Sequence, residues 1–273
     1  MATIILDESG APTRQGSALF ARMGDRTERI VLGSAFIVIL LAGWQLVTAL
    51  GLEPPILLPS PADVIAAFRI LFSSDDIWFD LAASGKELLY GFALAAAVGI
   101  AAGLTMGWYP RLGYFLDPFV NFLYAIPRVA LGPLLVVWLG IGLSSKVALV
   151  FLIAVFPVLV NTSSGVRSLD PHLLRVARCF GASDLKIFRT IALPGSVPFI
   201  LGGLRLAVGQ SLIGVFVAEL LGAQHGVGAM IENAGQQFQT DVVFAGLLIF
   251  AAAGMLLTAI VRGLERHFDA WRV

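Results

Sequence analysis

Charge is what this sequence has least of. Only 13% of its 273 residues are Asp, Glu, Lys or Arg, and the mean hydropathy is +0.88. Soluble domains carry about 25% charged residues. A chain with half that fraction has little water to face, which excludes an ordinary soluble protein. The formal net charge is zero, so no global field draws nucleic acid or acidic ligands. There is one cysteine, Cys179, and therefore no intrachain disulfide. The three histidines, His172, His225 and His267, are far apart and show neither HExxH nor zinc-type Cys/His spacing, so no metal site is expected. The phosphate-cradling pattern GxxxxGK[S/T] is missing, and the chain is not expected to hydrolyse ATP itself. No Ser-His-Asp or paired-carboxylate arrangement stands out. An enzyme reading has no chemistry to rest on.

Long apolar runs are abundant instead. A helix needs about 20 mainly apolar residues to cross a bilayer. Residues 30–50, 88–108 and 242–261 contain no charged side chain and qualify. Three further runs are interrupted: 113–139 by Asp117, Pro118, Pro127, Arg128 and Pro133, 147–164 by Pro157, and 197–221 by Arg205 and Glu219. The expected fold is all-α and polytopic, with about six transmembrane helices. The first run follows a polar segment with Arg14, Arg22, Arg26 and Arg29. It is too long for a signal-peptide core and is read as a retained span.

Lys and Arg set the orientation. With the N-terminus inside, the inner segments hold 13 of the 18, the outer segments hold Arg69, Lys86 and Lys146, and Arg128 and Arg205 fall within spans. Both termini are therefore expected in the cytoplasm, together with residues 165–196. The first outer segment, 51–87, opens with Pro54, Pro55, Pro59 and Pro61, which discourage helix. Residues 62–72 then place apolar side chains at helical spacing and predict a short helix lying on the membrane surface.

The most informative stretch is RVARCFGASDLKIFRTIALP, residues 175–194. It is polar and basic between apolar runs, so it cannot lie in lipid. Asp170 is placed to cap a helix and Pro171 suits its first position. Gly181 can take a positive φ and close that helix. Ser183 or Asp184 caps a second one, which is expected to end by Pro194. Ala177, Gly181 and Ala182 leave room for a partner, and Arg175, Arg178, Lys186 and Arg189 flank them. A plain basic cytoplasmic loop is the other reading of the same residues.

Gly91, Ala95, Gly99, Gly103 and Gly107 recur at every fourth position, which places them on one helix face where a second helix can approach closely. Arg128 lies within a run broken by Pro127 and Pro133. It either lines a translocation pathway and attracts an anion, or closes a structural ion pair with Glu219 or Asp117. Arg205 is read as snorkelling toward the cytoplasm. Gln210 and Ser211 are candidate cavity liners, and Glu219 is expected near the outer surface, facing a delivery protein or water.

The 175–194 stretch resembles the loop that marks the membrane subunits of bacterial ATP-binding-cassette importers: Glu-Ala-Ala, three residues, Gly, nine residues, then Ile-x-Leu-Pro. Ala177, Gly181, Ile191, Leu193 and Pro194 fall in the matching places, while Arg175 and Val176 stand where Glu and Ala are usual. The Leu-Pro-Ser-Pro stretch at 58–61 followed by a helix is similar to the nitrate, sulfonate, taurine and bicarbonate branch of that family. The resemblance implies a type I importer fold with cytoplasmic coupling helices, and a permease subunit that forms the pathway for a small anionic solute such as nitrate, a sulfonate or taurine, or bicarbonate. It implies coupling through Arg175, Ala177, Arg178, Gly181, Ala182 and Lys186 to a separate ATPase. The implied assembly is a homodimer of permeases in the bacterial inner membrane with two ATPase subunits, which hold ATP and Mg, and a solute-binding protein. No cofactor is implied for this chain. The organisation is then a cytoplasmic segment 1–29, a permease domain 30–265 and a cytoplasmic tail 266–273. A stand-alone secondary transporter or channel is the alternative; it would need inverted repeats and mid-membrane acids.

Overall fold

The computed structural model describes residues 25–54 and 56–268, and all regular structure among them is helical. Most of the N-terminal segment and the end of the tail expected from the sequence lie outside the described residues. The chain divides into two compact units, residues 1–63 and 64–273. In the first, α1 (Asp25–Ala49) is followed by the Pro-rich stretch, where Trp44 Nε1 donates to the carbonyl of Pro59 at 2.9 Å. Ser60 and Asp63 then cap α2 (Pro61–Ser73) reciprocally: the Asp63 N–H donates to Ser60 Oγ and the Ser60 N–H to Asp63 Oδ2.

The second unit contains α2 from Val64 onward, then α3 (Asp76–Trp108), α4 (Pro110–Ala125), α5 (Gly132–Leu139), α6 (Leu143–Arg167), α7 (Pro171–Cys179), α8 (Asp184–Ile187), α9 (Leu193–Leu220), α10 (Val227–Gln236) and α11 (Thr240–Phe268). Five of the described helical stretches are long and apolar enough to cross a membrane, and α4 and the Arg128–Leu139 stretch pass the same test only together, as a pair bent by 83°. The interrupted run at 113–139 is therefore two helical pieces with a bend between them, the geometry of a broken span or of a re-entrant loop. Pro127 lacks an N–H and Pro133 starts a new helix, so the backbone turns through a short 3-10 segment, Arg128–Leu131, between them. Within the expected outer segment, residues 76–87 are helical, because α3 begins at Asp76.

The core is α6 held between α3 and α9. α3 runs parallel to α6, and its glycines make the contact. A Cβ on Gly99 would lie 2.8 Å from Val158 Cβ, and one on Gly103 2.6 Å from both the Leu159 carbonyl and Thr162 Cβ. Gly91 faces Val150 and Gly107 faces Val166 in the same way, while Ala95 and Ala154 share one core cluster. On the other side α9 runs antiparallel, with Gly214 against the backbone of Val150 and Gly203 against Pro157 and Val158. Small side chains bring backbones close where lipid gives no hydrophobic drive between helices.

One expectation is corrected. The helix begun at Ser183 does not stop at Pro194. It passes through a π-helical turn, Phe188–Ala192, and continues as α9. The wide turn has the Leu193 N–H donating to the Phe188 carbonyl, so the missing N–H of Pro194 falls where the ladder is already interrupted.

Candidate functional site

Three places hold the polar chemistry of this apolar molecule. The first is the elbow between α7 and α8. Asp170 accepts from the His172 N–H at 2.7 Å and starts α7. The helix closes when the Gly181 N–H donates to the Arg178 carbonyl and the Ala182 N–H to the Ala177 carbonyl. That pair of bonds needs a left-handed residue between them, and Gly181 sits at φ +76°. No atom outside its chain neighbours lies within 4 Å of a Cβ at Gly181, so conformation, not crowding, selects glycine there. Ser183 caps α8 through the Lys186 N–H. Arg175, Arg178 and Lys186 are exposed, and Ala177 and Ala182 are half-buried beside them. Arg178 pairs with Asp184 at 3.6 Å.

The elbow also carries apolar side chains that sequence reasoning passed over. Leu173 and Val176 on α7 and Phe180 at its C-cap are 50%, 51% and 87% exposed. Their spacing of three and four residues was the available signal. Exposed apolar patches of this kind are typical of protein or membrane contacts.

The second place is the break in the α4–α5 span. Arg128 is half-buried there. Its guanidinium carbon lies 4.9 Å from the Tyr124 ring centre and 5.5 Å from that of Phe156. Its Nη1 is 3.4 Å from the Ile153 carbonyl. Neither suggested ion pair forms. Asp117 is taken by Arg167, with both contacts at 2.9 Å, and Glu219 is turned toward Ser84 and α10. The aromatic faces stabilise the cation, and no carboxylate neutralises it among the described ion pairs. Gln210 is half-buried on α9. Ser211 is fully buried, and its hydroxyl donates back to the Ala207 carbonyl at 2.7 Å. Arg205 does not simply snorkel; it pairs with Glu265 of α11.

The third place is a buried polar knot at the end of the bundle opposite α7. Glu219 is fully buried, contrary to the expected surface position. One of its oxygens accepts from Ser84 Oγ and the other from the Gly228 N–H, both at 2.5 Å. Ser84 in turn accepts from the Val227 N–H, and Asp80 from the Gly226 N–H, each at 2.9 Å. Three consecutive N–H groups at the start of α10 are thus held by side chains of α3 and α9. Lys146 Nζ lies 2.6 Å from Glu87 Oε1 in the same region. A helix N-terminus carries free N–H groups and partial positive charge, which explains the acceptors gathered there. Among the described residues no group of three His, Cys, Asp or Glu is placed to hold a metal ion.

Residues 95–272 match the family described as the binding-protein-dependent transport system inner membrane component. The chain is 35% identical over 261 residues to an aliphatic sulfonates transport permease protein, SsuC, of Bacillus subtilis, covering 96% of this chain and 95% of the relative. It is 33% identical over 250 residues to the taurine transport system permease protein TauC of Escherichia coli, covering 90% and 91%. Its fold is similar to a chain of the MetNI methionine ABC transporter in an inward-facing conformation, with a TM-score of 0.53 at 18% identity over 68% of this chain and 96% of that one. The chain belongs to the family of inner-membrane permease components of binding-protein-dependent transport systems.

Proposed function

We propose that this chain, paired with a second copy of itself, forms the translocation pathway of an ATP-driven importer for a small anionic solute of the sulfonate class. The observation that carries the anion reading is Arg128: a cation within a membrane span, framed by two aromatic rings and left without a carboxylate. A charge in that position is costly unless it serves a partner or a pathway. Non-helical backbone at membrane depth is tolerated where it lines protein or a water-filled path. The break at Arg128–Leu131 has that character. The names of the two relatives, for sulfonates and taurine, support the same class.

In this reading both termini and the α7–α8 elbow are cytoplasmic, as the distribution of Lys and Arg argues. Each elbow docks on an ATPase subunit through Phe180, Val176 and Leu173, with Arg175, Arg178 and Lys186 at the rim and Gly181 setting the turn. A solute-binding protein delivers at the other face. Closure of the ATPase pair moves the elbows, and the bundle alternates between outward and inward access. Movement follows only if the elbow interacts differently with the two ATPase states. The test is uptake of radiolabelled taurine by the complete system in proteoliposomes. Competition by alkanesulfonates, with none by uncharged analogues of the same size, supports an anion pathway. Equal competition by the uncharged analogues contradicts it.

A further inference from the structure

Two carboxylates and one lysine meet in the buried knot at the end of the bundle opposite α7. Ser84 and Glu87 stand one turn apart on one face of α3. Glu219 reaches them from α9 and Lys146 from α6. Glu87 and Glu219 are 2% and 0% exposed, and they lie within hydrogen-bonding reach of each other. We propose that these two glutamates share one bound proton, and that this proton latches the start of α10 to the bundle.

The argument starts from a count of donors. The two oxygens of Glu219 accept from the Ser84 hydroxyl and the Gly228 N–H, both at 2.5 Å. Glu87 Oε1 accepts from Lys146 Nζ at 2.6 Å. Glu87 Oε2 is buried and has no donor. A buried charged acceptor without a donor is among the costliest groups a fold can hold. Its neighbour is a second carboxylate, which has no hydrogen to give unless a proton is bound. One proton between the two acids supplies the missing bond, whichever of them holds it.

The count of charge agrees. The charged side chains in contact with the pair are Lys146 and the two acids themselves. Asp80, one turn before Ser84, is engaged elsewhere: it accepts from the Gly226 N–H and lies 3.5 Å from His225. No arginine joins the pair among the described ion pairs. The N-terminus of α10 adds partial positive charge and favours one ionised carboxylate. It supplies nothing at Glu87 Oε2. Two carboxylates this close in buried surroundings repel strongly. With one proton the two acids and Lys146 sum to zero.

The same groups fix α10. Glu219 holds the Gly228 N–H and Ser84 holds the Val227 N–H, so the meeting of α9 with α3 sets where α10 begins. Loss of the proton leaves two negative charges against one positive. Repulsion then drives Glu87 and Glu219 apart, and both acceptors move away from α10. The inference goes beyond the importer reading and does not depend on the solute carried.

The experiment uses the chain as it purifies from its host, partners included. Infrared difference spectra at neutral pH compare it with the Glu87→Gln and Glu219→Gln variants. The expected result is loss of the carbonyl stretch of one neutral carboxylic acid, a band that moves in heavy water. If neither variant loses that band and only carboxylate stretches disappear, the pair is fully ionised and the proposal is overturned. Amide hydrogen exchange over residues 226–236 reads the latch. After correction for the faster intrinsic exchange in alkali, wild-type protection should fall roughly tenfold from neutral to alkaline pH, as for one lost hydrogen bond to a charged group. Glu87→Gln carries an amide N–H in place of the proton and should keep its protection level. The wild-type series stands whether or not a variant assembles. Wild-type protection that does not change with pH, or an equal fall in Glu87→Gln, overturns the latch.

Discussion

Arg128 and Pro157 meet at one atom, the carbonyl oxygen of Ile153. Pro157 has no N–H to donate to the carbonyl four residues before it, and Arg128 Nη1 lies 3.4 Å from that oxygen. The break in one span is thus joined to the proline of another by a charged side chain. The contact is long and uses one of five donors, so most of the guanidinium's capacity stays open. Arg128 both supports α6 and presents charge.

The two roles separate by substitution. Arg128→Ala should lower solute uptake roughly tenfold, the loss expected of one hydrogen bond to a charged group, while the amount of assembled complex stays constant. Arg128→Lys should keep part of the uptake. Uptake unchanged in Arg128→Ala would leave the residue only its support of Ile153.

The parallel contact between α3 and α6 depends on glycine. A Cβ on Gly99 would sit 2.8 Å from Val158 Cβ and 3.0 Å from the Val155 carbonyl. Gly99→Ala should therefore destabilise the bundle by about 1–3 kcal/mol. Gly33→Ala, where no atom lies within 4 Å of the added Cβ, should be close to neutral. Thermal unfolding in detergent measures both. Equal melting temperatures for the two would contradict this packing.

At the elbow the constraint is conformational. Gly181→Val forces a β-branched residue to φ +76° and should weaken association with the ATPase. Gly181→Asn tolerates that φ and should retain most of it. Membrane insertion of both variants should be normal. Co-purification of the ATPase measures the effect. Similar loss in both variants would mean that the open surface at Gly181, rather than the turn, is what matters.

The pair Lys146–Glu87 is nearly buried, with side-chain exposures of 13% and 3%. Lys146→Met alone leaves a buried carboxylate without its cation and should cost about 3–5 kcal/mol. Adding Glu87→Leu should recover most of that. A double variant no more stable than Lys146→Met would show that the knot is held chiefly by other bonds, such as Ser84 to Glu219.

Much of this was legible in the sequence because it is local. The apolar runs located the spans, and Asp170, Pro171, Gly181 and Ser183 placed the elbow within a residue or two. The four-residue spacing of glycine located the close helix face. What was not legible depends on residues distant along the chain. Nothing near Arg128 says that Phe156 and Ile153 will surround it, and nothing near Glu219 says that Ser84 and Gly228 will bury it. Pro194 was read as a stop because a proline cannot continue a regular α-helix. The π turn before it changes the ladder, and Ile187 and Ala192 at the two ends of that turn are both fully buried.

The most direct test of the account is to purify the tagged chain from its native host in mild detergent and identify what comes with it. The account predicts a P-loop ATPase in near-equal amount, and uptake by the reconstituted complex that requires ATP. A chain that purifies alone and still carries solute across liposomes without ATP would contradict it.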